Sequence, residues 1–186
     1  MVKRDLITNT IIGVLIVGIV ILLRVFVFST YQVKSSDENS YFKENEILLV
    51  HAKQEPKYKD FIVYEVNHQT YIGRVIASEG ESVTYMDDIF YLNNSVESQA
   101  YIEKLKSAFL SDASNESPYT QDFTLATISN QHDLSEIPKG KYLVLNDNRR
   151  NLKDSRQFGL IDKSQIKGVV TFKLFPLSQF GFLDVE

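Results

Sequence analysis

The longest apolar run lies near the start of the chain. Ile11 to Leu23 reads IIGVLIVGIVILL without a polar residue, and Val25 to Phe28 continues it past Arg24. A bilayer core of about 30 Å needs roughly 17–25 apolar residues as helix, a length reached here only if Arg24 is tolerated. Near one end of the run, a long side chain can bend its charge back to the interface. The competing reading is a cleaved export signal, with an apolar stretch of about 7–15 residues and small residues at a cut site. Val27-Phe28-Ser29-Thr30-Tyr31 lacks an A-x-A-like pattern. The pattern therefore predicts an uncleaved anchor in residues 1–30. Lys3 and Arg4 precede it, which leaves the N-terminus cytoplasmic and residues 31–186 extracytoplasmic by the positive-inside rule.

Beyond residue 30 the apolar positions fall into short β-type runs. Ile47–Val50 is followed by the turn-prone Gln54-Glu55-Pro56-Lys57. Phe61–Val66 is β-branched and aromatic, and Asn67-His68-Gln69 reads as a hairpin connection into Thr70–Ile72 and Arg74–Ile76. Val83–Tyr85 and Ile89–Leu92 flank a tight turn at Met86-Asp87-Asp88. Tyr142–Leu145 and Val169–Leu174 are further strands. A helix is predicted over Tyr101–Leu110, where Ile102, Leu105 and Phe109 recur on one face. Ser111–Asp133 is polar and weakly periodic, a mobile insertion over the sheet; residues 98–135 form the variable part of one mostly β domain.

Composition narrows the chemistry. The 186 residues contain no Cys, which excludes thiolate metal sites, disulfides and cysteine nucleophiles. Residues 1–30 carry three basic side chains and one acidic, so the remainder of this −4 chain is at −6. An acidic domain is a poor partner for nucleic acid. His51, His68 and His132 sit in no metal-ligand spacing, so surface or strand-end positions are expected and no metal or cofactor is called for. No phosphate-cradling glycine motif or G-x-S-x-G occurs. One polar stretch stands out, Asn146-Asp147-Asn148-Arg149-Arg150-Asn151-Leu152-Lys153-Asp154-Ser155-Arg156. Taken alone it reads as a surface loop of Asx turns and Asp–Arg pairs.

Read together with the anchor and the strand pair before it, this loop resembles that of type I signal peptidases (peptidase S26). The family pattern G-D-N-R-x-x-S-x-D-S-R is matched at Asp147, Asn148, Arg149, Asp154, Ser155 and Arg156. Arg74-Val75-Ile76…Gly80 resembles the family's K-R-V-I-G-x-P-G-D strand, and Val33–Val50 its V-x-G-x-S-M-x-P-T-L segment. The resemblance implies a signal-peptidase-like (LexA/signal peptidase) antiparallel β fold with one N-terminal transmembrane helix and a small helical insertion.

The departures fall on the catalytic positions. In the family a serine attacks the peptide carbonyl and a buried neutral lysine takes its proton, because a serine hydroxyl is a poor nucleophile without a base. The resemblance places Asp37 at the nucleophile, Gly73 at the lysine, Leu152 at the serine that orients it, and Asn146 at the loop's first glycine. No catalytic residue is then expected. Leu152 suits the space left by the lysine, and Asp37 reads as a solvated loop acid or as a residue for ligand binding or assembly. Ser35 matches a position that carries an oxyanion-stabilising serine in some members, or is a solvent-facing strand residue. Ser36 and Asp37, as neighbours on an extended strand, face opposite ways. An aspartic dyad at Asp37 needs a second carboxylate, whereas Glu38 faces wrongly and Asp147 and Asp154 look committed to arginines.

Among Gram-positive signal-peptidase-like proteins with this Asp/Gly replacement, the resemblance is to those required for assembling sortase-linked pili. The resemblance implies a membrane-anchored, non-proteolytic assembly factor that holds pilin subunits or their sortase in a groove of Val33–Asp37 and Tyr71–Ile76. Ser35, Ser36, Asp37, Tyr71, Gly73 and Arg74 are its expected binding residues, and the loop Asp147–Arg156 is structural. The alternative is an active type I signal peptidase that cleaves exported preproteins with non-standard residues.

Overall fold

The computed structural model describes residues 2–112, 117–129 and 134–185 and, within the first helix, the side chains of residues 6–19. Helix α1 (Val2–Phe26) carries exposed apolar side chains such as Leu6, Ile11 and Val17. In contrast to the spanning segment expected, no helix among the described residues is long and apolar enough to cross a membrane.

The domain that follows is built from two antiparallel sheets. The larger contains β1 (Phe28–Gln32), β2 (Ile47–His51), β3 (Phe61–Val66) and β4 (Gln69–Ala77). The smaller contains β5 (Val83–Met86), β6 (Ile89–Leu92), β7 (Ser95–Val96) and, after helix α2 (Glu103–Leu110), β8 (Phe123–Thr124). Helix α3 (Leu125–Ser129) then leads back to the larger sheet. There β9 (Lys141–Leu145), helix α4 (Ser155–Phe158), β10 (Ile161–Asp162), β11 (Ile166–Phe175) and β12 (Gly181–Phe182) complete the chain. Strand order is β1-β2-β11-β3-β4-β9-β10, with β12 on β11, and β7-β6-β5-β8 in the smaller sheet.

The hairpins follow from their turn residues. Asn67 and His68, Asp87 and Asp88, and Asn93 and Asn94 all have φ between 50° and 62°. Two successive left-handed residues match the twist of adjoining strands, and Asn and Asp tolerate that conformation. His68 is accordingly exposed at a hairpin tip, while His51 ends β2 with its ring 5.2 Å from that of Phe28. His132 lies outside the described residues.

Three apolar clusters hold the sheets together. One lies between the smaller sheet and β4/β9 and includes Ile76, Tyr85, Phe90, Leu143 and Leu145. It also takes in Tyr119, Phe123, Leu125 and Ile128. The segment expected as a mobile insertion thus contributes core, because its few apolar residues are placed inward one by one, without the periodicity that would announce them. A second cluster includes Val33, Phe42, Phe61 and Ile72, and Leu183 and Val185, which follow β12, pack against it. The third gathers Ile62, Tyr64, Val75, Tyr142 and Val144.

Candidate functional site

The cleft lies where the turn after β1 meets β4 and the loop after β9. Residues Ser35–Asp37 form a single 3₁₀ turn rather than extended strand. The turn brings neighbouring side chains together, so Ser36 Oγ donates to Asp37 Oδ1 at 2.9 Å. The expectation that Ser36 and Asp37 face opposite ways is corrected by this. Nor is Asp37 a solvated loop acid. Its Oδ2 accepts the Tyr31 hydroxyl at 2.6 Å and the Lys34 backbone N–H at 3.2 Å. Burial, with Asp37 as hydrogen-bond acceptor, pushes the Tyr31 phenol far above its usual range. Ser35 is exposed on this turn, and the Ser36 carbonyl accepts Asn151 Nδ2 at 2.9 Å, which ties the turn to the loop after β9.

Gly73 pairs with Ile62 across β3–β4 and is buried. A Cβ built on it would lie 2.6 Å from Val144 Cγ1, 3.4 Å from the Leu145 carbonyl oxygen and 3.5 Å from Tyr64 Cε1. Val144 is itself fixed, since its N–H donates to the buried hydroxyl of Ser155 at 2.9 Å. Val144 and Tyr64, not Leu152, therefore fill the space beside Gly73. Leu152 is 40% exposed, which overturns its expected inward packing. The pocket between Asp37, Gly73 and Asn146–Asn148 has a volume of about 10 Å³, room for about one water.

Arg74, expected in the groove, is instead wholly buried. Its side chain points away from Gly73's neighbours, as alternation along a strand requires. Nε and Nη2 donate to Asp147 Oδ1 and Oδ2, both at 2.8 Å, and Nη1 donates to the Lys59 and Val185 carbonyls. The guanidinium lies 4.1 Å from the ring centroids of both Phe61 and Tyr101. Asp147 lines the same small pocket as Asp37, yet both its oxygens are held by Arg74. Glu38 accepts the Glu44 N–H.

The loop after β9 is a self-contained brace. Asp154 caps α4 through the Arg156 N–H, accepts the Asn146 N–H at 2.9 Å, and forms a two-pronged pair with Arg156. Arg149 is buried, with Nη1 on the Asn146 carbonyl and Nη2 on Gln99 Oε1. Asn148 closes a local turn with the Arg150 N–H. The predicted Asp–Arg pairing inside the loop thus holds for Asp154–Arg156, whereas the partner of Asp147 comes from β4.

Tyr71 remains at the cleft. Its ring stacks on Tyr64 at 5.8 Å, its hydroxyl donates to Gln69 Oε1, and Lys34 Nζ lies 5.7 Å from its centroid. Lys34 Nζ also donates to the Thr70 carbonyl at 2.6 Å. The expected groove segment Tyr71–Ile76 is open only in part, because β9 pairs with β4 from Arg74 onward. Sequence reading missed Tyr31, Lys34, Tyr64 and Val144. Tyr31 shares a strand face with Val33, two residues on, but nothing in the sequence marks Val144 as a filler.

Among the described residues no lysine ammonium bonds a serine hydroxyl, and no His, Asp and Glu group has the makings of a metal site. A mostly antiparallel β domain carrying this braced loop is the architecture of signal peptidases. The chain belongs to the signal peptidase, peptidase S26, family, whose profile matches residues 6–175. It is 32% identical over 171 residues to signal peptidase I of Bacillus caldolyticus, covering 89% of this chain and 90% of that protein. It is 34% identical over 168 residues to signal peptidase IB of Staphylococcus aureus strain MRSA252, covering 84% and 83%. The crystal structure of a signal peptidase I from Enterococcus faecalis V583 matches with a TM-score of 0.56 and 36% identity, covering 63% of this chain and 98% of that one.

Proposed function

We propose that this chain is a membrane-anchored member of the family that has lost the Ser/Lys reaction and binds pilin subunits, or the sortase that joins them, as a non-proteolytic assembly factor. The observation that carries the reading is Gly73. A general base must reach the hydroxyl it deprotonates, and here the family's lysine position has neither a basic group nor room for one beside Val144. At the family's nucleophile position Asp37 offers no hydroxyl, and its carboxylate is occupied by Tyr31, Ser36 and the Lys34 N–H. The apolar run that starts at Ile11 in helix α1 serves as the anchor, with the N-terminus cytoplasmic and the β domain outside. An extended partner segment adds to the open strand edges of the cleft, main-chain hydrogen bonds supplying affinity.

A second reading, an active peptidase with non-standard residues, is favoured by one contact, the Ser36–Asp37 hydrogen bond at 2.9 Å. Incubating the full chain in detergent micelles with a signal-peptide substrate, with products read by mass spectrometry, separates the two. The assembly factor gives no turnover, and cells lacking the chain lose polymerised pili that the wild type restores. Turnover that survives Ser35→Ala but disappears with Ser36→Ala or Asp37→Ala establishes the peptidase instead.

A further inference from the structure

The open space next to the cleft is a groove of about 770 Å³ between β1 and the tip of the β3–β4 hairpin. Ser29–Gln32 and Lys34 line one wall and His68–Thr70 and Lys167 the other, over a floor of Val50, Ala52 and Val63. Two properties set its chemistry. β1 ends the sheet, pairing with β2 alone among the described residues, so the wall offers a strand edge. The lining contains two lysines, a histidine and no carboxylate, in a chain whose residues 31–186 carry a net charge of −6.

The two lysines are not equivalent. Lys167 Nζ is paired with Glu65 Oε2 at 2.9 Å, and the same carboxylate lies 3.9 Å from His68 Nδ1. Lys34 has no ion pair among the described residues. Its ammonium reaches across the groove to the Thr70 carbonyl and lies 5.9 and 5.7 Å from the Tyr31 and Tyr71 ring centroids. A carbonyl and two ring faces solvate a cation without neutralising it. Lys34 is also exposed on a four-carbon stem, so it can turn toward an incoming anion without leaving a buried group unpaired.

From these observations we propose that the groove takes an extended peptide segment carrying a carboxylate side chain, with the strand added at β1 and the carboxylate paired to Lys34. Lys34 is then the specificity-determining residue. The apolar floor accepts alternate small side chains of the segment, while the acidic one points to Lys34 where it spans the groove to Thr70. The inference rests on the binding reading above and deepens it by naming the class of segment bound.

The test uses the full chain in detergent micelles and fluorescein-labelled peptides of alternating threonine and valine, with glutamate, glutamine or lysine at the centre, followed by anisotropy. The expected result is that the glutamate peptide binds about fivefold more tightly than the glutamine peptide, the scale of a solvent-accessible charge pair. The lysine peptide binds more weakly than either. Lys34→Gln abolishes the difference between the glutamate and glutamine peptides, and high salt shrinks it in the wild type. Equal binding of glutamate and glutamine peptides, a preference unchanged in Lys34→Gln, or no binding of any peptide overturns the inference. Each of these leaves the non-proteolytic reading standing. That reading fails separately, by cleavage of signal-peptide substrate in the assay above.

Discussion

Val144 stands where a side chain on Gly73 would have to go. The 2.6 Å between its Cγ1 and a Cβ on Gly73 is closer than packed carbon atoms tolerate, and the Ser155 hydroxyl holds the Val144 backbone in place. Adding a methyl group to a filled interior costs about 1–3 kcal/mol. Gly73→Ala is therefore expected to lower stability by that amount in urea titration, and Gly73→Ala with Val144→Ala to recover part of it. Additive losses in the double variant would mean that the two sites are not in contact.

The same packing bears on reversion. Asp37→Ser, Gly73→Lys and Leu152→Ser together are expected to yield no turnover of a signal-peptide substrate, since the new lysine has no space and Leu152 faces solvent. Turnover in this triple variant would show that Val144 yields readily.

Arg74 and Asp147 are both fully buried and doubly hydrogen bonded. Removing one partner of a buried pair strands the other charge, at a cost of about 3–5 kcal/mol. Asp147→Asn and Arg74→Met should each show a loss of this size in chemical denaturation, and Arg74→Lys should not rescue it, because an ammonium lacks the fork that meets both oxygens. A loss below about 1 kcal/mol would contradict the buried geometry.

Burial holds several phenols protonated. Tyr58 is pushed up to about 12, and Tyr31, Tyr64 and Tyr101 are raised further, burial being the first cause in each. A phenol whose folded pKa exceeds its unfolded value of about 10 contributes stability that is complete below about pH 10 and lost as pH rises above it. Urea midpoints should accordingly be insensitive to tyrosine ionisation up to about pH 9 and fall steeply beyond 10. Absorbance at 295 nm should show these four of the ten tyrosines ionising only as the fold opens. Ten phenols titrating together near pH 10 in folded protein would refute this.

Asn151 reaches the Ser36 carbonyl across the cleft at 2.9 Å. Asn151→Ala should speed amide hydrogen exchange in the turn Ser35–Asp37 while changing global stability by no more than about 1 kcal/mol. Unchanged exchange there would show that Asp37 and Tyr31 suffice to hold the turn.

The sequence was most legible where local chemistry decides the outcome. Phe61–Val66 is a strand as read, and the pairs Asn67-His68 and Asp87-Asp88 form the expected turns because few other residues accept two left-handed positions in a row. Asp154–Arg156 was readable since both partners lie in one loop. What escaped depends on contacts between distant segments. Arg74 finds Asp147 only once β4 and β9 are paired, Tyr119 is buried from within a polar stretch, and Leu152 turns outward because Val144 and Tyr64 already occupy the interior. The substitutions at Asp37 and Gly73 were visible; how neighbouring residues filled the gap was not.

The Val185 carbonyl accepts a hydrogen bond from buried Arg74, and Leu183 and Val185 pack beside the cleft wall. Any change that displaces Leu183 or Val185 would loosen the very contacts that anchor the guanidinium. The buried ion pair of the cleft wall is thereby latched by a segment far from it in sequence.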